Sequence, residues 1–143
     1  MIAIVIPAKN EENRIGMVLN TCSKTPVDII IPVVNGCTDN TKDKIRSHFM
    51  HEKIKILEFT EPLGIDVPRA IGAAYAYSLQ AQIILFVDGD MTGDIGKNLN
   101  ELIKAVQYQR MDMALTNCYP FIYCRNALAN SVLNYREKLN RKL

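Results

Sequence analysis

Two carboxylates flank a single glycine in Asp88-Gly89-Asp90, directly after the apolar run 83–87, where a chain leaves a hydrophobic core. Like charges this close repel and raise proton affinity unless a cation stands between them. A divalent ion with oxygen ligands, Mg²⁺ or Mn²⁺, removes the repulsion and also binds phosphate oxygens. Gly89 lets backbone and ligand approach closely. Two more polar clusters follow apolar runs: Pro7-Ala8-Lys9-Asn10-Glu11-Glu12 and Asn35-Gly36-Cys37-Thr38-Asp39-Asn40-Thr41. Each has a plainer explanation when taken alone. Asp88 to Asp90 makes an acidic surface turn and Asn35-Gly36 a plain one. Thr38 or Asp39 caps a helix, and Glu11 and Glu12 suit a helix's positive end.

The elements that must position these clusters follow from periodicity. Short β-rich runs predict strands over 2–7, 27–34, 53–59, 82–87 and 112–116. Helical spacing predicts helices over 11–23, 39–50, 68–80, 95–109 and 126–143. Ile15, Val18, Leu19 and Cys22 share one face of the first, and Leu99, Leu102, Ile103 and Val106 one face of the fourth. Strands alternating with helices imply an α/β fold, a mostly parallel sheet with helices on both faces. Continuous apolar runs make the first, second and fourth strands look central. In such sheets ligands bind beyond the carboxyl ends of strands, near the reversal of strand order. All three polar clusters lie at strand ends.

Together the clusters resemble a known family. Pro7-Ala8-x-Asn10-Glu11-Glu12 is similar to the opening signature of family-two glycosyltransferases. Asn35-Gly36-Cys37-Thr38-Asp39-Asn40-Thr41 resembles their second signature, and Phe86-Val87-Asp88-Gly89-Asp90 their Asp-x-Asp motif. The order agrees, the separations are roughly 25 and 50 residues, and the resemblance covers residues 2 to about 116. It implies the nucleotide-binding half of a GT-A, Rossmann-like fold. It also implies a nucleotide-diphosphate sugar donor, usually a uridine diphosphate (UDP) sugar, and Mg²⁺ or Mn²⁺. The implied reaction is an inverting transfer of hexosyl type. Position by position, Pro7, Ala8 and Glu11 would border the nucleoside, with Asn10 in the same signature. Asn35 would sit near the base, beside Gly36. Asp88 would lie near ribose and metal next to Gly89, and Asp90 would be the more direct metal ligand.

Departures from the family pattern are specific. Asn35 and Cys37 stand where Asp and Ser are usual; an amide can still donate and accept. Cys37 near a helix N-terminus could have a lowered pKa, or simply fill serine's place. The stretch 64–72 keeps the end glycines, Gly64 and Gly72, of a Gly-Lys-Gly segment, but Ile65 replaces the basic residue and Asp66 the second glycine. Arg69, one helical turn on, is the candidate for the missing positive charge toward the diphosphate, with an ordinary surface arginine as the alternative. Nothing after Asp112 matches the family's acceptor-binding part, and no general base can be named. Residues 1–143 are therefore expected to be one domain that stops short of that part.

Bulk properties bound the rest. A composition 48% apolar and 22% charged is that of a globular domain, and 143 residues suffice for a core. A net charge of +2 with scattered basic residues predicts no nucleic-acid partner. The basic tail, with Arg136, Lys138, Arg141 and Lys142, suits a solvated helix face. The start reads as a strand rather than a signal peptide, and no apolar stretch is long enough to cross a bilayer. Cys22, Cys37, Cys118 and Cys124 form no metal-ligand spacing, and free thiols suggest a reducing, cytoplasmic setting. The aromatic run 119–123 is a candidate interface for a homodimer. A nucleotidyltransferase shares the α/β plan, although Pro7-Ala8-Lys9-Asn10 lacks its Gly-rich loop. A dehydrogenase is disfavoured by the absence of Gly-x-Gly-x-x-Gly after the first strand. A binding module that keeps the nucleotide site without catalysis remains the non-enzymatic alternative.

Overall fold

A computed structural model describes residues 1–48, 52–109 and 112–114. The elements run β1 (Ile2–Ala8), α1 (Ile15–Ser23), β2 (Ile29–Asn35), α2 (Thr41–Ser47), β3 (Leu57–Phe59), α3 (Asp66–Ser78), β4 (Ile83–Phe86) and α4 (Ile95–Gln109). The four strands form one sheet in the order β3-β2-β1-β4, and every pairing is parallel. The chain steps outward from β1 to β3, then returns through α3 to lay β4 on the other side of β1. Strand order therefore reverses between β1 and β4.

Alternation along β1 sends side chains to two cores. Ile4, Ile6 and Ala8 join Ile30 and Val34 of β2 under α1, α2 and α4. Ala3 and Val5 join Ile31 and Val33 on the opposite face, where Ala76 of α3 packs. Helices thus cover both faces, as two-sided burial of β1 and β2 requires. Each fully buried aliphatic side chain contributes about 1.5–3 kcal/mol. The face predicted for α1 is the buried one: Ile15, Val18, Leu19 and Cys22 all lie inside. Burial pushes the Cys22 thiol up to about 12, so it packs as an inert apolar group.

Several boundaries differ from the sequence expectation. The first helix begins at Ile15 rather than residue 11: Arg14 departs from helical geometry at φ −124°, and the N–H groups of Glu11 and Glu12 bond across to Thr41 and Asp39. The third strand shrinks to 57–59, with Ile54 kept as an isolated bridge to Ile30. Ile30 N–H donates to the Lys53 carbonyl and the Ile30 carbonyl accepts from Lys55 N–H, so alternation turns Pro32 the same way. Its nitrogen has no hydrogen to give, and the ladder breaks there. β4 lies at the end of the strand order among the described residues, not in the centre, and Phe86 is exposed because α3 packs chiefly over β1 and β2. Asp112 to Ala114 form no strand, whereas α4 spans the predicted 95–109. Residues 115–116 of the fifth predicted strand, Cys118, Cys124, the run 119–123 and the helix 126–143 with its basic residues lie outside the described residues.

Candidate functional site

The reversal between β1 and β4 opens a crevice at their carboxyl ends. Pairing continues one residue past β4, where Val87 N–H donates to the Val5 carbonyl at 3.1 Å. The chain then turns, with Met91 N–H donating to the Asp88 carbonyl at 3.1 Å. Gly89 is pressed against the loop after β1: a Cβ there would stand 3.3 Å from Glu11 Cγ and from the Pro7 carbonyl oxygen. The glycine serves contact between two loops.

From the opposite side, Arg69 of α3 reaches over the crevice. Its Nη2 donates to Asp88 Oδ1, and its Nη1 to the Ile65 carbonyl at 3.3 Å. Arg14 donates to the Asp90 carbonyl at 3.3 Å and lies 4.0 Å from its carboxylate. The result is an open cleft of about 180 Å³. Pro7, Ala8, Lys9 and Glu11 line it from β1's end, Asn35 from β2's, Gly64, Ile65 and Arg69 from α3's start, and Asp88, Gly89 and Asp90 from β4's. Ligand pockets commonly measure roughly 300–1,000 Å³, so these residues enclose part of a nucleotide-sized molecule.

The loops after β1 and β2 are clasped to each other. Asn10 donates through Nδ2 to Thr38 Oγ1 at 3.2 Å and accepts at Oδ1 from Thr38 N–H at 2.9 Å. Glu12 N–H donates to Asp39 Oδ2 at 3.2 Å, and Asn40 N–H returns the bond to Glu12 Oε2 at 3.0 Å. Glu11 N–H donates to the buried Thr41 hydroxyl at 2.6 Å. Asn10 holds φ at 57°, a left-handed conformation that Asn adopts more readily than most residues. Burial alone would raise the Asp39 carboxyl, but hydrogen bonds from Thr41 and Glu12 outweigh it and hold it below the usual range. Cys37 joins the clasp, its thiol donating to the Ala8 carbonyl at 3.3 Å.

Nine sequence candidates thus line the cleft: Pro7, Ala8, Glu11, Asn35, Gly64, Arg69, Asp88, Gly89 and Asp90. Asn10 and Gly36 do not; Asn10 binds Thr38, and Gly36 seats the end of β2 against Pro62. Three residues outside the candidate set belong to the site. Lys9 lines the cleft from within the first polar cluster, which was a usable signal. Ile65 lines it while largely exposed, an apolar side chain that periodicity could not flag. Arg14 meets Asp90 across 76 positions of sequence, and nothing local announces it.

The electrostatics suit a bound cation. Glu11 is raised above its ordinary value, first by burial, then by the charge of Asp90 against an opposing Arg14, with Asp39 and Asp88 adding. Among the described residues no three His, Cys, Asp or Glu side chains converge as a complete metal cage. A Mg²⁺-type ion needs less, because one or two carboxylates suffice when substrate phosphates and waters complete its shell. Asp90 and Asp88 offer such a partial oxygen set within the cleft, and the residues fit.

An open parallel α/β sheet with charged residues gathered at its strand-order reversal has the build of a nucleotide-binding domain. Residues 3–142 match Glycosyl transferase family 2, and the chain belongs to that family, with the GT-A fold this implies. No curated protein gives a significant match. Among solved structures, TarS 1–349 of S. aureus is similar with a TM-score of 0.58 at 20% identity, over 73% of this chain and 32% of that one. Its complex with UDP-GlcNAc gives 0.59 at 20% identity, over 73% and 30%. Its complex with UDP gives 0.55 at 21% identity, over 72% and 32%. Likeness at this identity speaks for the fold, and the chain spans about a third of the length of those structures.

Proposed function

We propose that the protein is a metal-assisted glycosyltransferase and that the cleft between β1 and β4 holds its nucleotide-diphosphate sugar donor. One observation carries the reading: acidic Asp88 and Asp90, basic Arg69 and the loop after β1 converge where strand order reverses. Family membership supports the reaction class. A uridine diphosphate sugar is the favoured donor, supported by the complexes of TarS with UDP and UDP-GlcNAc. The reaction is read as an inverting hexosyl transfer to an unidentified acceptor. A cytoplasmic setting completes the proposal, and the free thiol of Cys22 suits it.

In this reading Asp90, with Asp88, would hold Mg²⁺ or Mn²⁺, which supplies neutralisation of the departing diphosphate. Arg69 brings a planar guanidinium whose paired N–H groups match phosphate oxygens. It already lies in the cleft, held by Asp88 and the Ile65 carbonyl. The walls at Pro7, Ala8 and Gly64 shape the space in which the donor is held. The cleft accounts for the donor half of the transfer; the acceptor and the base that deprotonates it are not part of it.

Titration calorimetry with UDP-sugars, with and without Mn²⁺, tests the reading. Binding should depend on Mn²⁺, and Asp90→Ala should lower the Mn²⁺-dependent affinity at least roughly tenfold. An Asp90→Ala protein that binds UDP-sugar and Mn²⁺ as well as its parent sinks it.

A further inference from the structure

We infer that Asn35 is a positioning residue: its amide latches the segment before α3 and thereby sets the cleft wall that carries Arg69. The inference rests on the donor-site reading above. Asn35 ends β2, and the residue is nearly enclosed, at 5% exposure. Its Oδ1 accepts from Leu63 N–H at 2.7 Å, while its Nδ2 donates to the Gly64 carbonyl at 2.8 Å. The segment makes two opposite demands, for one acceptor and one donor, on the adjacent residues Leu63 and Gly64. A primary amide meets both.

Neighbouring contacts show why the latch controls the wall. Gly36 N–H donates to the Phe59 carbonyl at 3.0 Å. Gly36 has φ +58°, and a Cβ there would lie 2.4 Å from Pro62 N. The end of β2 and the segment 59–64 are therefore in direct backbone contact. Gly64, at φ +84°, then swings the chain into Ile65 and α3, and Arg69 follows one turn later. Gly64, Ile65 and Arg69 make up one side of the cleft. Asn35 spends its amide on that side's backbone, so it acts on a ligand through the wall rather than by reading a base edge.

The two roles predict opposite responses to a carboxylate. In Asn35→Asp the carboxylate can still accept from Leu63 N–H, but it sets a second acceptor against the Gly64 carbonyl. A buried acceptor pair of this kind is costly. The neutral acid restores one donor and one acceptor, so the latch should return on acidification. A carboxylate that bound the nucleotide directly would gain affinity when ionised and lose it on acidification.

The experiment is titration of UDP with Mn²⁺ into the parent, Asn35→Asp and Asn35→Ala between pH 5.5 and 8.5, each read as a ratio to the parent at the same pH. The latch predicts roughly tenfold weaker binding by Asn35→Asp at pH 8, recovering toward the parent as pH falls. Asn35→Ala should be weakened by a ratio that does not change with pH. If Asn35→Asp binds as tightly as the parent at pH 8, or more tightly with the gain lost in acid, the inference is overturned. If Asn35→Asp does not fold at pH 8, recovery of folding on acidification supports the latch, and failure at every pH with a fully active Asn35→Ala refutes it. A parent that binds no UDP defeats the donor-site reading instead. The latch then stands or falls on hydrogen exchange: Leu63 N–H must be protected in the parent and lose that protection in Asn35→Ala.

Discussion

Gly72 sits within α3 on the face turned to the sheet, and replacing it with alanine puts two known effects in opposition. Alanine is the better helix former, by roughly 0.5–1 kcal/mol in a helix interior. Against that, a Cβ at 72 would lie 2.3 Å from Val5 Cγ1 and 3.2 Å from Val33 Cγ2. Ordinary carbon contact begins near 3.4 Å, so the shortfall at Val5 is about 1.1 Å. Val5 cannot yield: it is fully buried in the middle of β1 and stiff at χ1. The helix must move instead. Overpacking of this kind costs about 1–3 kcal/mol, which outweighs the propensity gain and leaves a net loss of roughly 1–2 kcal/mol. For a domain of this size that lowers Tm by about 3–8 °C.

Moving α3 also moves Arg69, so Gly72→Ala should weaken UDP binding as well as stability. Denaturant and thermal unfolding measure the first effect and calorimetry the second. Gly96→Ala is the control, since a Cβ there meets only Thr21 Cγ2 at 3.6 Å and should leave the protein as stable as before or slightly more so. The double variant Gly72→Ala with Val5→Ala should be less unstable than the sum of its parts, because the second change removes the colliding methyls. If Gly72→Ala is as stable as the parent, the close packing of α3 on β1 is not what that glycine provides, and the reasoning is refuted.

Two further outcomes follow from charge. Burial alone would raise the Glu58 carboxyl, but hydrogen bonds from Lys42 and Arg46, at 2.9 Å each to the nearest oxygen, hold it below its ordinary value. A depressed pKa gives stability above the unfolded value that is lost as pH falls through the folded one. Glu58→Gln should therefore be about 0.5–1 kcal/mol less stable than the parent at neutral pH, and the two urea midpoints should converge below roughly pH 4. In the cleft, Arg69→Ala should weaken UDP binding about tenfold at fixed salt while Arg69→Lys recovers only part, because a point charge lacks the paired N–H geometry. Unchanged affinity in Arg69→Ala would return Arg69 to the status of a surface arginine.

Much of this architecture could be read in advance, for physical reasons that also mark the limits. Helix faces were legible where burial is one-sided: Ile15, Val18, Leu19 and Cys22 recur at helical spacing, and Leu99 and Ile103 of α4 are buried as their spacing predicts. The three polar clusters were legible because each interrupts a chain leaving the core. Their division of labour was not. Asn10 and Glu11 are neighbours in one cluster, yet Asn10 is spent on Thr38 and Glu11 faces the cleft. That difference depends on partners 28 or more positions away. The truncation of β3 has a cause on another strand, at Pro32, which no reading of residues 53–59 could reveal.

The charge pairs in the cleft also say something about how a donor would enter it. Asp88 is engaged by Arg69, and Asp90 lies at the limit of contact with Arg14. If these pairs were buried, parting them would leave uncompensated charges and cost several kcal/mol. They are not: the side chains of Arg69 and Asp88 are 33% and 55% exposed, and those of Arg14 and Asp90 54% and 53%. Pairs in that setting are worth about 0–1 kcal/mol. A diphosphate offered to Arg69 and a cation offered to Asp88 and Asp90 would replace each weak pair with a stronger, charge-assisted one. The cleft therefore holds its opposite charges in weak, solvated pairs and releases them at little cost to a ligand carrying both signs. A ligand with the diphosphate alone leaves Asp88 unpaired beside Asp90, and a cation alone strands Arg69. On this arrangement, metal and nucleotide should each raise the affinity for the other.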